Sequence, residues 1–455
     1  MSDGQRTKKV GMVSLGCPKN LVDSEVMMGL LARQGYELTA DSSAADVLVV
    51  NTCGFIESAR QESVETILEM AQLKQTGNLK RLVVAGCLVE RFKDELQREI
   101  PEIDACIGVN QLSEVESAVA PNGHRALPVY SDGAAAPELF LYDETTPRLR
   151  ATAPYTAYVK IAEGCDHTCA FCIIPKLRGV FRSRSPESIV KEVEMLAAQG
   201  VKEFVLISQD TTNYGVDLGL RDGLARLVES LASVKGVEWL RFLYCYPTAI
   251  TDRLLDVMAS RENVCNYFDI PLQHASRRVL GLMRRGGNRE TYWRMIDRIR
   301  ERVPEVAIRT TFIAGFPGER EEDFDELLHF VRGVEFDRVG VFTYSDEENS
   351  VAFELRDKVD PEIAKNRERR LMKEQARISK QRNRRLVGRR VRVLLEGKSK
   401  ESDLLLEGRM ESQAPEIDGS VLINDVPEGV AARAGDFVTV QITEAHEYDL
   451  VGQIV

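Results

Sequence analysis

The chain has no apolar run approaching a bilayer span: the longest, at residues 47–50 and 404–406, are a handful of residues, against the roughly 20 that a membrane helix needs. Residues 1–9 are polar and lead straight into a strand-like run, which excludes a secretory signal and predicts a cytoplasmic protein with no membrane partner. Positive charge is also in short supply. Sixty Lys and Arg against 71 Asp and Glu give a formal net charge of −11, so a uniformly basic, nucleic-acid-coating surface is excluded, though a local basic patch is not. An even set of cysteines is missing too; there are nine, and in a reducing compartment they do not read as a disulfide framework. Long internal repeats and low-complexity tracts are absent. What is present is an ordinary globular balance, 44% hydrophobic and 29% charged over 455 residues, enough for about three domains.

The periodicity divides the chain into modules. Over residues 8–130, short aliphatic runs at 10–15, 47–51 and 82–85 alternate with amphipathic stretches at 22–34 and 57–73. Alternating β and α predicts a parallel sheet with crossover helices, a Rossmann- or flavodoxin-like domain. Residues 131–153, with prolines and no period, are expected to be a linker. Over residues 154–360 six strand candidates (157–161, 204–208, 239–244, 268–272, 307–313, 339–344) alternate with helices at 186–199, 223–233, 251–260, 289–302 and 321–333. Six strands are too few for a closed α/β barrel, so a partial (βα)6 barrel is expected. Asp360 and Pro361 open a helix over 361–387 with ten Lys or Arg against three Glu, read as a solvated basic face. Residues 388–455, with strands at 391–395, 404–407, 421–423, 438–442 and 450–455 punctuated by glycines, read as a small antiparallel β-barrel.

Cys165, Cys169 and Cys172 put three thiols on one loop after the first barrel strand, at the edge where barrels keep their chemistry. Four thiolates saturate a cubane iron–sulfur cluster; three leave one iron open for a ligand. The plainer alternative is a structural zinc site completed by His167. A second constellation is Cys17, Cys53 and Cys87, each just past a strand candidate of the first module. Parallel strands share one carboxyl edge, where ligands bind, so three loops bring three thiols together. The alternative is three buried free cysteines, which is the reading taken for Cys106, Cys245 and Cys265.

The CxxxCxxC spacing with Phe171 before its last cysteine resembles the radical S-adenosylmethionine superfamily. With LGCPKNLVDSE at 15–25, NTCG at 51–54, DIPLQH at 269–274 and GFPGE at 315–319, nearly the whole chain resembles the methylthiotransferases of that superfamily, in the branch acting on an aspartate of a small-subunit ribosomal protein. The resemblance implies a TRAM-type C-terminal barrel and two 4Fe–4S clusters, one on Cys17, Cys53 and Cys87, the other on Cys165, Cys169 and Cys172. S-adenosylmethionine is then both methyl donor and radical source, and an external donor supplies electrons. No catalytic residue beyond the cluster ligands is implied. Phe171, Ser208, Gln209, Asp210, Gln273 and His274 stand where S-adenosylmethionine is expected; a packing role for Phe171 and a core role for His274 are the alternatives. Lys176, Arg178, Arg182 and Arg184 either steer an acidic target or line a solvated loop.

Charge gives an independent check. Residues 389–455 hold seven Lys or Arg against thirteen Asp or Glu. An acidic terminal barrel repels phosphates and suits a basic ribosomal protein rather than direct RNA binding. A transfer RNA adenosine methylthiotransferase, another radical enzyme without a second cluster, and a non-catalytic iron–sulfur or zinc scaffold stay open at this point.

Overall fold

The computed structural model describes residues 8–120, 140–400 and 402–455. Residues 121–130 of the first module and 131–139 of the expected linker lie outside them; residues 140–153 run as irregular chain.

The first module is a parallel sheet ordered β2-β1-β3-β4-β5, from β1 (Lys9–Ser14), β2 (Glu37–Thr39), β3 (Val47–Thr52), β4 (Arg81–Gly86) and β5 (Ala105–Ile107). Every residue of the central β3 is buried, as expected of a strand covered on both faces by crossover helices. The short edge strands β2 and β5 carry too little pattern to stand out in the sequence. The helix expected at 22–34 begins earlier, as Pro18–Arg33, with Cys17 at its N-cap and Pro18 in its first turn, a position proline favours.

The second module follows with β6 (Thr156–Lys160), the ribbon strands β7 (Ala162–Glu163) and β8 (Arg182–Ser183), then β9 (Glu203–Ile207), β10 (Trp239–Phe242), β11 (Tyr267–Asp269), β12 (Ala307–Ala314) and β13 (Arg338–Thr343). Strands β6, β9 and β10 form one parallel sheet and β11, β12 and β13 another; a parallel bridge from Leu240 to Val264 joins them. Six parallel strands in chain order therefore make an open barrel, with the largest hydrophobic core of the molecule between strands and helices.

Helix Pro361–Arg384 is less solvated than its composition suggests. Ala364, Leu371 and Ile378 are buried, and so is Arg367. Part of its charge is paired with the second module: Arg367 and Arg370 pair with Glu321, Arg382 with Asp337, and Arg385, just beyond, with Glu335, while Lys365, Arg369, Lys373 and Arg384 are exposed. The helix is thus a strut between the second module and the third that keeps a solvated basic outer face. That last module is a closed barrel of β14 (Arg390–Lys398), β15 (Leu406–Met410), β16 (Val421–Asp425), β17 (Phe437–Ala445) and β18 (Leu450–Ile454). Four of its pairings are antiparallel, but β16 and β18 run parallel; closing five strands leaves one pair that cannot alternate direction. Among the described residues no helix is long and apolar enough to cross a membrane.

The terminal barrel is locked to the N-terminal ends of the central strands. Glu203, first residue of β9, takes both Arg409 of β15 and Arg241 of β10 at 2.6 and 2.9 Å, with all three side chains buried. Tyr267 at the start of β11 donates to Asp418. Burial alone raises the Glu203 carboxyl, but Arg409 and Arg241 override it and hold it down at about 2. A depressed carboxyl stabilises the folded state above its unfolded value of about 4.3 and loses that contribution only as pH falls through about 2. Glu203→Gln strands two buried guanidinium groups and is expected to cost about 3 kcal/mol at neutral pH. Thermal unfolding followed against pH checks this: the gap between the variant and the parent narrows as pH falls from about 4 towards about 2.

Candidate active site

The first three thiols meet where the sheet order predicts. Cys17 follows β1, Cys53 follows β3 and Cys87 follows β4, three adjacent strands with one shared carboxyl edge. A Cβ on Gly16 would lie 2.9 Å from the Cys53 Cβ and 3.3 Å from its Sγ; one on Gly54 would lie 2.7 Å from the Cys87 carbonyl oxygen. The glycines are what let these loops close on each other. Charges on the three thiols act on one another. Burial pushes Cys53 up to about 11 and raises Cys87. Burial works the same way on Cys17, but the Lys19 ammonium and Arg178 guanidinium outweigh it and leave that thiol below its ordinary value. Asn20 braces the loops, donating to the carbonyls of Leu15 and Thr52 at 3.2 and 2.9 Å.

The second three sit on a loop leaving β7 at the carboxyl end of the central barrel. Its backbone is pinned by a hydrogen bond from Cys165 N to the Gly179 carbonyl (3.1 Å) and from Ala170 N to that of Met283 (2.8 Å). Asp166 accepts from Phe181 N at 2.9 Å. Gly164, at φ +85°, is where the chain turns into the loop, and a Cβ there would collide with the Val180 carbonyl. Burial pushes Cys165 up to about 11 and Cys172 to about 12. Arg285 donates to the Cys169 sulfur at 3.3 Å and to the Pro271 carbonyl at 2.7 Å, and its guanidinium lies over the Tyr246 ring. His167, the residue a zinc set would recruit, is turned to Asp210 at 2.6 Å and stacked on Tyr246 with centroids 3.7 Å apart. Among the described residues no three His, Cys, Asp or Glu side chains are grouped to hold a single ion.

The two thiol sets share a border. Ile173, next to Cys172, is buried in one small cluster with Cys87, Val109 and Leu177. Arg178, the last residue of helix Ile174–Arg178, donates to the Cys87 sulfur at 3.5 Å and to Glu163 and Asp23 at 3.0 and 3.2 Å. Lys160 pairs with the same Asp23 and, at 2.7 Å, with Glu163. Two carboxylates and two cations, all buried, therefore join the first module to the cysteine loop of the second.

The remaining expected residues are placed as follows. Phe171 is half-buried against the barrel core. Ser208 and Asp210 are buried; Ser208 bonds Thr211, while Asp210 takes His167 and caps the turn at Asn213. Gln209 donates to Glu163, and its Oε1 is buried without a partner. Gln273 has φ +73°. His274 is buried, accepts from Ser276 N at 3.0 Å and is held down at about 3 by burial. Arg178 and Arg184 are buried in ion pairs, Arg184 with Glu192 at 2.5 Å, and Lys176 donates to the Asn349 carbonyl. The three guanidinium nitrogens of Arg182 are buried without a hydrogen-bond partner. The GFPGE turn is built around its own glutamate: Glu319 accepts from Gly315 N and Phe316 N and pairs with Arg367, and burial pushes it up to about 7.

Sequence reasoning missed Lys19, Asp23, Lys160, Glu163, Tyr244 and Arg285. Lys19 and Asp23 lie inside the 15–25 motif, so a signal existed for them. The pairings that give the others their place, such as Lys160 with Asp23 and Arg285 with Cys169, run more than a hundred residues apart, which no local pattern marks.

Known proteins align with this architecture module by module. The chain matches the family model described as Uncharacterized protein family UPF0004 over residues 9–108, the Radical SAM superfamily over 159–331 and the TRAM domain over 387–455. A protein of Solibacter usitatus named Ribosomal protein uS12 methylthiotransferase RimO is 53% identical over 98% of this chain and 95% of its own. One of the same name from Koribacter versatilis is 49% identical over 99% and 97%. The chain belongs to the RimO family. Its radical S-adenosylmethionine domain brings iron–sulfur and S-adenosylmethionine use with it. In fold alone it is also similar to the radical S-adenosylmethionine methyltransferase TsrM of Kitasatospora setae, with a TM-score of 0.53 and 14% identity over 74% of this chain and 73% of that one.

Gly164→Ala offers a local test of the second loop. The substitution is expected to displace the Cys165 turn while leaving the first thiol set alone, so iron bound after anaerobic reconstitution falls to about half that of the parent. Iron analysis alongside the circular dichroism of the folded chain reads this directly.

Proposed function

We propose that this protein is a methylthiotransferase that adds a methylthio group to the β-carbon of an aspartate in the small-subunit ribosomal protein uS12. Cys17, Cys53 and Cys87 would hold one 4Fe–4S cluster and Cys165, Cys169 and Cys172 another. The observation that carries the reading is the pairing of two three-thiol sets across one border, each at a carboxyl strand edge and each with one arginine N–H directed at a sulfur.

The donor sets fit iron–sulfur clusters. The first three thiols come from separate loops and, among the described residues, are not grouped around a single ion, the glycines at 16 and 54 leave the backbone clear, and Arg178 and Arg285 supply the N–H···S bonds that tune such clusters. When bound, the clusters and S-adenosylmethionine supply radical chemistry, needed because no side-chain base removes a hydrogen from an unactivated carbon. The protein does the rest. Arg285, Tyr246 and His167 hold the Cys165 loop in one geometry, and the Asp23–Lys160–Glu163–Arg178 set fixes the second loop against the first. Ile173, Val109 and Leu177 keep water from the Cys87 side. A protein substrate is favoured over RNA because the terminal barrel is acidic, with seven Lys or Arg against thirteen Asp or Glu over residues 389–455.

Mass spectrometry of ribosomal proteins from cells with and without this chain tests the reaction: uS12 is expected to lose its methylthio mark in the deletion, while an unchanged uS12 with altered transfer RNA contradicts the substrate. Reconstituted protein should carry on the order of eight irons per chain. Cys169→Ala is expected to abolish reductive cleavage of S-adenosylmethionine. Cys53→Ala is expected to spare cleavage and stop thiolation; thiolation surviving in that variant contradicts the division of labour between the two sets.

A further inference from the structure

Around the border between the thiol sets Lys160, Arg178 and Arg309 are paired with carboxylates, and Lys19 is not. Lys160 and Arg178 share Asp23 and Glu163. Arg309 holds one oxygen of Asp269 at 2.7 Å, and the other accepts from Tyr244 N at 3.0 Å. Lys19, two residues past Cys17, is only 8% exposed and has no carboxylate within ion-pair distance among the described residues. Its ammonium instead sits 3.2 Å from the centroid of the Tyr244 ring. Glu163 and Asp269, the carboxylates close enough to act on it, are already taken by other partners.

A ring face returns only part of the hydration a buried ammonium gives up. The Cys17 thiol is the group whose negative charge acts on it most strongly, and the N–H donors of the ammonium are left for an incoming anion. Tyr244 is itself held at φ +64°, a conformation that side-chain-bearing residues adopt only where the surroundings enforce it and which gathers at functional sites. It follows the carboxyl end of β10, so Lys19 reaches from the first thiol set into the mouth of the central barrel, where the second set's loop hangs.

We propose that the Lys19 ammonium, propped on Tyr244, receives the side-chain carboxylate of the target aspartate. This rests on the function proposed above and adds the residue that selects the acidic side chain. Gripping the carboxylate also fixes the methylene next to it, which is the carbon to be thiolated, between the two thiol sets. S-adenosylmethionine carries a carboxylate of the same chemistry, so the test must separate the two sources.

Full-length reconstituted protein is titrated anaerobically with fluorescently labelled uS12 in two forms, with the target aspartate and with asparagine in its place. The parent is expected to prefer the aspartate form about tenfold or more, as a charge-assisted contact to a buried cation requires. Lys19→Met is expected to bind both forms at the weaker level, with iron content and S-adenosylmethionine binding retained, and Lys19→Arg to restore part of the preference. A Lys19→Met protein that keeps its preference for aspartate overturns the proposal. So does one that loses S-adenosylmethionine binding, or sheds iron, with the preference intact, since Lys19 then serves the cofactor or the Cys17 thiolate. A parent that binds neither form of uS12 contradicts the proposed function itself and takes this inference with it.

Discussion

Arg178 leaves the helix that follows Cys172, crosses into the first module and divides its guanidinium among Asn20, Asp23, Glu163 and the Cys87 sulfur. Lys160 closes the same set from β6. Taking four charges out of water is costly, and the cost is offset only while every partner is present; removing one leaves an uncompensated buried charge. The contact between the modules therefore has one register, and that register decides how the two thiol sets stand to each other. Arg148 reinforces it from the chain between modules, joining Glu25 of the first helix to Glu192 of the second module.

A division of the central barrel into two ends follows from the same logic. At the carboxyl ends of its strands are the cysteine loop, Tyr244, Asp269 and the partner module with its own thiols. At the amino ends, Glu203, Arg241 and Tyr267 are bonded to Arg409, Glu411 and Asp418 of the terminal barrel. The terminal barrel closes the end opposite the chemistry, and helix Pro361–Arg384 ties it back along the outside through Glu321, Asp337 and Glu335. Charged residues that look like surface solvation in composition are, in this chain, the fasteners between modules.

What the sequence showed and what it hid divide along the range of the interactions involved. The long elements and both cysteine sets were legible because their signals are local: helical periods, aliphatic runs, and a thiol placed just past three successive strands, which a parallel sheet must bring to one edge. Arg178 and Arg184 were not, since a basic stretch after a cysteine loop reads equally as solvent-facing until Asp23, Glu163 and Glu192 are seen against it. The parallel pairing of β16 with β18 was hidden by glycines that suggest hairpins throughout. Tyr244 carries no mark at all, because its backbone conformation is imposed from outside by Asp269 and Lys19. Lys19 lay in plain view beside Cys17 and became informative only once its neighbours' partners were known.

The central claim is that two iron–sulfur clusters face each other across the Arg178 border. Electron paramagnetic resonance of the fully reduced protein tests it most directly, because two paramagnetic clusters held that close couple magnetically. The account predicts a spectrum split or broadened by coupling, which simplifies when either Cys53 or Cys169 is replaced by alanine. A parent spectrum that is no more than the sum of the two single-set variants would contradict it.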